Sequence, residues 1–199
     1  RWGAQRVEFV RPLQWVLMTF GGEVVPGNIL NIPNGNTTRG HRFHSAGELQ
    51  ITNVDHYEKI LLELGYVIAD YDLRKEKIRS GVQAVAEQEG GIAVIDEDLL
   101  DEVTSLNEWP IPLLGRFEER FLEVPTEALI SSMKEHQKYF HLLDKNGDMM
   151  PNFITVANID STDPAQVIQG NERVIRPRLA DAAFFFETDK KSNLETRRE

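Results

Sequence analysis

The stretch Tyr139-Phe140-His141-Leu142-Leu143-Asp144-Lys145-Asn146-Gly147-Asp148-Met149-Met150-Pro151-Asn152-Phe153-Ile154-Thr155-Val156-Ala157 decides the fold class. Apolar and β-branched runs flank the turn residues Lys145-Asn146-Gly147, so Tyr139 to Leu143 and Asn152 to Ala157 are predicted to pair as neighbouring strands of a hairpin. Asp144 to Asp148 also opens like a calcium loop, but Met149 and Thr155 stand where that loop needs its glycine and its final carboxylate. The hairpin reading therefore wins.

Working upstream, Pro125 is expected to open a helix through about His136 that buries Leu129, Ile130 and Met133. Trp109 to Gly115 is apolar but carries two prolines, which suits an edge strand or extended segment and not a central strand. Asp96 is placed to cap a helix bearing Leu99, Val103 and Leu106, with Glu97 and Asp98 at the positive end of its dipole. Asp70 or Asp72 starts a longer helix, with Ile78, Val82 and Val85 on one face and Gly90-Gly91 as its stop. Asp55 can cap a helix to about Leu64, stopped by Gly65, and Glu48 to Thr52 is a short strand. Ile32 to Thr38 reads as turn chemistry. Gly21-Gly22, between the runs Phe9 to Phe20 and Glu23 to Leu30, marks a first hairpin.

Downstream, Pro177 is expected as the first residue of a last helix carrying Leu179, Ala182, Ala183 and Phe186. Hairpins at both ends with helices between them predict an α+β fold, with a mixed or antiparallel sheet and packed helices, over a doubly wound parallel one. No internal repeat or low-complexity tract interrupts the chain.

The 199 residues are 41% hydrophobic and 27% charged, the composition expected of a soluble globular chain able to bury a core without staples. Cysteine is absent, which removes disulfides, thiolate metal sites and cysteine nucleophiles and fits a reducing, cytoplasmic setting. No apolar run approaches the roughly 20 residues that cross a bilayer, and no signal peptide opens the chain, so no membrane partner is expected. Arg1 is not methionine and Asn193 to Glu199 is polar without a stop, so both ends are expected to be cuts through a longer polypeptide.

A net charge of −10 argues against nucleic acid, but the acidity is local. Residues 1 to 44 hold 5 Lys/Arg against 2 Asp/Glu, residues 45 to 125 hold 7 against 18, and residues 126 to 199 hold 10 against 12. Three basic groups stand out. Arg39, His41 and Arg42 share a glycine-containing loop where backbone N–H groups and guanidinium forks could meet phosphate. Lys134 and Lys138 are four apart and share a helix face, and Arg173, Arg176 and Arg178 straddle the expected start of the last helix, whose dipole favours anions. The plain alternative is pairing with the abundant carboxylates, as Arg178 with Asp181. His41 and His44 lack companion ligands, so no metal site is expected. No phosphate loop, nucleophile elbow or His-Glu-x-x-His motif occurs, and no catalytic residue is predicted.

Several blocks together resemble one family. They include Arg1-Trp2-Gly3, Phe9-Val10-Arg11-Pro12, Thr38-Arg39-Gly40-His41-Arg42-Phe43, Glu108-Trp109-Pro110 and Pro125-Thr126-Glu127-Ala128-Leu129-Ile130. Met133-Lys134, Gln137-Lys138-Tyr139-Phe140, Pro151-Asn152-Phe153-Ile154 and Val156-Ala157-Asn158-Ile159 follow in order. The longest is Gly170-Asn171-Glu172-Arg173-Val174-Ile175-Arg176-Pro177-Arg178-Leu179-Ala180-Asp181-Ala182, with Phe184-Phe185-Phe186 after it. They resemble the β subunits of bacterial heterotetrameric glycyl-tRNA synthetases over nearly the whole chain.

The resemblance implies an internal slice similar to the B3/B4 domain of the phenylalanyl-tRNA synthetase β subunit. It places 1–176 in a B3/B4-like domain and 177–199 in a helix leading toward an HD-like domain. It implies glycine-specific tRNA, the α subunit and the remainder of the β subunit as partners. No cofactor is implied in this segment; ATP and Mg2+ belong with glycine activation on the α subunit. Arg39, His41, Arg42, Lys134, Lys138, Arg173, Arg176 and Arg178 are then the candidate tRNA contacts, to phosphate and sugar. The alternatives are an editing-type hydrolase of mischarged tRNA, less needed for the smallest amino acid, and a purely structural subunit-interface domain.

Overall fold

The structure is a computed structural model that describes residues 13–191. The start of the first expected strand, Phe9 to Pro12, and residues 192–199 of the C-terminal segment lie outside the described residues. The chain divides between Asp70 and Tyr71 into two units, each with its own packing.

The first unit is built from short strands and one helix. In order these are β1 (Val16–Leu17), β2 (Thr19–Phe20), β3 (Glu23–Val24), β4 (Asn28–Ile29), β5 (Ile32–Gly35), β6 (Thr37–Arg39), β7 (Glu48–Gln50) and α1 (Tyr57–Glu63). The Gly21-Gly22 hairpin forms as expected, with Phe20 opposite Glu23. Ile32 to Thr38 does not form a turn. β5 lies between β1, to which it is parallel, and β4, to which it is antiparallel. The turn sits one step earlier, at Leu30 and Asn31, both left-handed with φ of 53° and 66°. Two positive φ values in a two-residue loop match the right-handed strand twist, and Leu30-Asn31 does so without a glycine to announce it. Asn53, and not Asp55, supplies the cap near α1: its Oδ1 accepts from the Asp55 N–H in a 3-10 turn, Val54–His56, ahead of the helix.

The second unit orders its elements as α2 (Tyr71–Gln88), β8 (Ile92–Ala93), α3 (Glu97–Leu106), β9 (Ile111–Arg116), α4 (Thr126–Gln137), β10 (Phe140–Leu143), β11 (Met149–Ala157) and α5 (Pro164–Lys190). Its sheet runs β8-β10-β11-β9 and every pair is antiparallel. The decisive hairpin forms, with Phe140 opposite Ile154, and its turn is closed by Asp144, whose Oδ1 accepts from the N–H groups of Asn146 and Asp148. β9 is an edge strand, which accommodates Pro112 opposite Val156.

Both faces of this sheet are covered. Ile154, Phe140 and Leu142 join Ile78 and Val82 of α2 and Leu99, Leu100 and Val103 of α3 in one core. Phe153 joins Leu129 and Met133 of α4, Ile175 and Leu179 of α5, and Tyr139 in the other. Helices, antiparallel sheet and mixed small sheets make the chain α+β. Asp96 caps α3 through the Leu99 N–H at 3.0 Å, but Leu106, at the end of that helix, is 53% exposed.

The last helix begins well before Pro177. Asp163 caps it by accepting from the Gln166 N–H, and Pro164 takes the first-turn position in which proline is tolerated. Pro177 lies inside the helix on an exposed position, while Ile175 and Leu179 on the other side are fully buried. Burial of that apolar face carries the helix across the proline.

Gly115 faces Phe153 across the β9–β11 ladder, and a Cβ there would run into the ring, with both Cε atoms at 2.7 Å. Phe153 has no room to yield, because it is stacked on Tyr139 with centroids 4.5 Å apart. Gly115→Ala is therefore expected to destabilise the chain by about 1–3 kcal/mol, as overpacking does. Thermal melting checks this, and an unchanged midpoint contradicts it.

Candidate nucleic-acid interface

In the first unit, β6 and β7 form a hairpin that sets Arg39 opposite Glu48, joined by an exposed 3.3 Å ion pair. The loop between them is anchored on its own unit. Gly40 lies so close to Gly65 that a Cβ would strike the Gly65 backbone, and the His41 N–H donates to the Gly65 carbonyl at 2.6 Å. His41 is buried at 2% exposure; its Nδ1 accepts from the Phe43 N–H and its ring stacks on His44 at 4.6 Å. It holds the loop from beneath, where the sequence suggested a surface contact.

What the loop presents is cationic and aromatic. The Trp15 indole, 40% exposed, donates through Nε1 to Thr38 Oγ1 at 3.2 Å, and the Arg39 guanidinium lies 5.7 Å from its ring centroid. Arg42 is exposed, rests 5.6 Å from the Phe43 ring, and makes no ion pair among the described residues. Phe43 itself is 69% exposed. Trp15, Arg39, Arg42, Ser45 and Glu48 line an open cleft of about 640 Å³.

The basic residues of the second unit are mostly satisfied within it. Lys134 pairs with Asp96 at 2.5 Å, Lys138 with Glu102 at 2.9 Å, and Arg176 with Glu118 at 2.7 Å. Arg173 donates to Gln169 Oε1 at 3.1 Å, and Arg178 is exposed without an ion pair among the described residues. The alternative, an ion pair between Arg178 and Asp181, is not formed. Arg173, Arg176 and Arg178 lie more than two turns inside α5, so the dipole at its N-terminus lends them nothing. Around α3, Lys75 and Arg79 from α2 bind Glu97 and Asp101, and the Arg79 hydrogen bonds pull the Glu97 carboxyl down to about 2.

Thus three of the eight candidates are spent on carboxylates in the second unit, while Arg39 and Arg42 come together in the first. Sequence reasoning missed Trp15, Ser45 and Glu48. The available signal was the β6–β7 register, which places Glu48 beside Arg39 once the hairpin is seen. Among the described residues, no group of three His, Asp or Glu is placed to hold a metal ion, and no helix is long and apolar enough to cross a membrane.

A family model described as the glycyl-tRNA synthetase beta subunit matches residues 1–199. The chain belongs to this family. Proteins named glycine–tRNA ligase beta subunit are similar over essentially its whole length: 63% identical over 198 residues in Marinobacter nauticus, 61% over 199 in Hahella chejuensis, and 58% over 198 in Chromohalobacter salexigens. These matches cover 99%, 100% and 100% of the chain. The chain spans 29% of the length of each of these glycine–tRNA ligase beta subunits.

Asp96 has two duties, one with Lys134 and one as the cap of α3. The Lys134 hydrogen bond first, and then the Leu99 N–H, hold its carboxyl below the usual 3.8. A carboxyl depressed in the folded state stabilises fully above its unfolded pKa and loses that contribution as pH falls through the folded value. Asp96→Asn keeps a competent cap and removes only the partly exposed ion pair, worth less than about 1 kcal/mol. Asp96→Ala is expected to cost about 1 kcal/mol more through the lost cap. Denaturation of both variants at neutral pH and below pH 4 checks this, and equal stability of the two contradicts it.

Proposed function

We propose that this chain is the part of a glycine–tRNA ligase β subunit that positions tRNA, while the α subunit joins glycine to it with ATP. Family membership supports the enzyme. The observation that carries the RNA role is the meeting of Arg39, Arg42, which has no ion pair among the described residues, and exposed rings at the mouth of one cleft. Guanidinium forks bind phosphate bidentately, and such contacts orient RNA without reading its sequence. The Arg39–Glu48 pair is exposed, so loosening it for a phosphate costs little.

In this reading Lys134, Lys138 and Arg176 are structural, and exposed Arg173 and Arg178 form a secondary contact on α5. The partners are glycine-specific tRNA, the α subunit and the remainder of the β subunit. The compartment is the cytoplasm, consistent with a chain that has no cysteine.

The test uses the assembled α and β subunits with Arg39→Ala, Arg42→Ala and the double variant. Each arginine removed is expected to weaken tRNA binding and to flatten the slope of log affinity against log salt by about one. Glycylation is expected to suffer through KM for tRNA. Unchanged affinity and unchanged salt slope in the double variant would overturn the reading.

A further inference from the structure

We propose that the cleft bounded by Trp15, Arg39, Arg42, Ser45 and Glu48 takes one unpaired ribonucleotide of the bound RNA, its base stacked on Trp15. The proposal rests on the tRNA-positioning reading and goes beyond phosphate docking, because only part of the cleft is suited to phosphate.

Its volume of about 640 Å³ falls within the range of small-ligand sites. The bond from Trp15 Nε1 to Thr38 Oγ1 fixes the indole by its edge and leaves the ring 40% exposed. A fixed, exposed indole flanked by a guanidinium is a platform on which any base can stack, against the ring or against the guanidinium plane. Arg42, with no ion pair among the described residues, is available to the phosphate. Glu48 can accept from a ribose hydroxyl or a base amino group once Arg39 turns to the base.

One further observation points to a ligand. Ser45 Oγ is buried yet has no hydrogen-bond partner among the described residues. A buried hydroxyl left unpaired is costly, and rotation about the Ser45 χ1 toward the cleft would let a ribose hydroxyl both donate to it and accept from it. The backbone beneath is fixed, because Gly40 is pressed against Gly65 and a Cβ on Gly40 would already meet the Ser45 Cβ at 2.6 Å, so rotation of the hydroxyl is what can satisfy it. The nucleotide must be unpaired, since a base inside an A-form duplex offers no free face to stack.

The experiment measures binding of glycine-specific tRNA to the assembled enzyme carrying Trp15→Ala, Trp15→Phe or Ser45→Ala. A short single-stranded ribo-oligonucleotide and an RNA duplex with the same number of phosphates serve as competitors. Trp15→Ala is expected to weaken tRNA binding by about 5- to 150-fold, the range of one lost base stack, with the salt slope unchanged. Trp15→Phe restores most of that loss. Ser45→Ala folds at least as well as the parent, having lost an unsatisfied group, yet binds RNA more weakly. The single strand competes and the duplex does not.

Wild-type affinity in Ser45→Ala and in folded Trp15→Ala would overturn the proposal, as would equal competition by the duplex. If the arginine variants still flatten the salt slope in that case, phosphate docking stands and only the nucleotide subsite falls. Loss of subunit assembly in Trp15→Ala, with RNA affinity of the remaining assembled enzyme intact, would make the cleft a protein contact and also overturn the proposal.

Discussion

The second unit depends on the alternation of one strand. Phe153 and Ile154 are neighbours on β11, each without solvent exposure, and they point to opposite faces of the sheet. Ile154 meets α2 and α3, while Phe153 meets α4, α5 and Tyr139. A slip of one residue in the pairing would exchange the two faces and empty both cores, so the register with β9 and β10 is fixed by burial more than by the turn. The same constraint explains Gly115: the ring that fills one core lies across the position where a side chain would stand. It also explains α5, whose buried Ile175 and Leu179 hold the helix together through Pro177.

Charge follows from the division into units. Residues 1–70 contain 6 Lys/Arg and 7 Asp/Glu, and residues 71–199 contain 16 and 25. In the second unit the carboxylate excess supplies partners for Lys75, Arg79, Arg116, Lys134, Lys138 and Arg176. Such exposed pairs add little stability individually, but they leave a phosphate fewer free cations to find. The first unit is close to neutral, and there Arg42, beside Arg39, has no ion pair among the described residues. A total of −10 therefore describes the second unit and says little about where RNA would bind.

Local signals in the sequence survived the comparison with the structure. The Lys145-Asn146-Gly147 hairpin, the Asp96 cap, the apolar face of α2 and the proline-bearing edge strand each rest on residues close together in the chain. Reading failed where distant packing decided. Leu30-Asn31 has no glycine, whereas Ile32 to Thr38 carries the proline, glycine and asparagines that signal a turn. Pro177 looked like a helix start because the buried stripe spanning it is set by Phe153 and Met133, which the local pattern does not show. Lys134 and Asp96 are 38 residues apart, and no periodicity announces their pairing. The cleft is assembled from Trp15 and the distant loop that carries Arg39 and Ser45; of its lining, Arg39, His41 and Arg42 are legible in the sequence. The family resemblance was legible because its blocks are contiguous, and the match over residues 1–199 bears it out.

The central claim is that RNA meets the first unit first and foremost at the β6–β7 hairpin, with α5 of the second unit secondary to it. Hydrogen exchange on the assembled enzyme, with and without glycine-specific tRNA, tests it directly. Slowed exchange is expected in peptides covering residues 37–50 and around Trp15, with α3 and α4 unchanged. Protection confined to residues 164–190, or none in residues 37–50 at saturating tRNA, would contradict it.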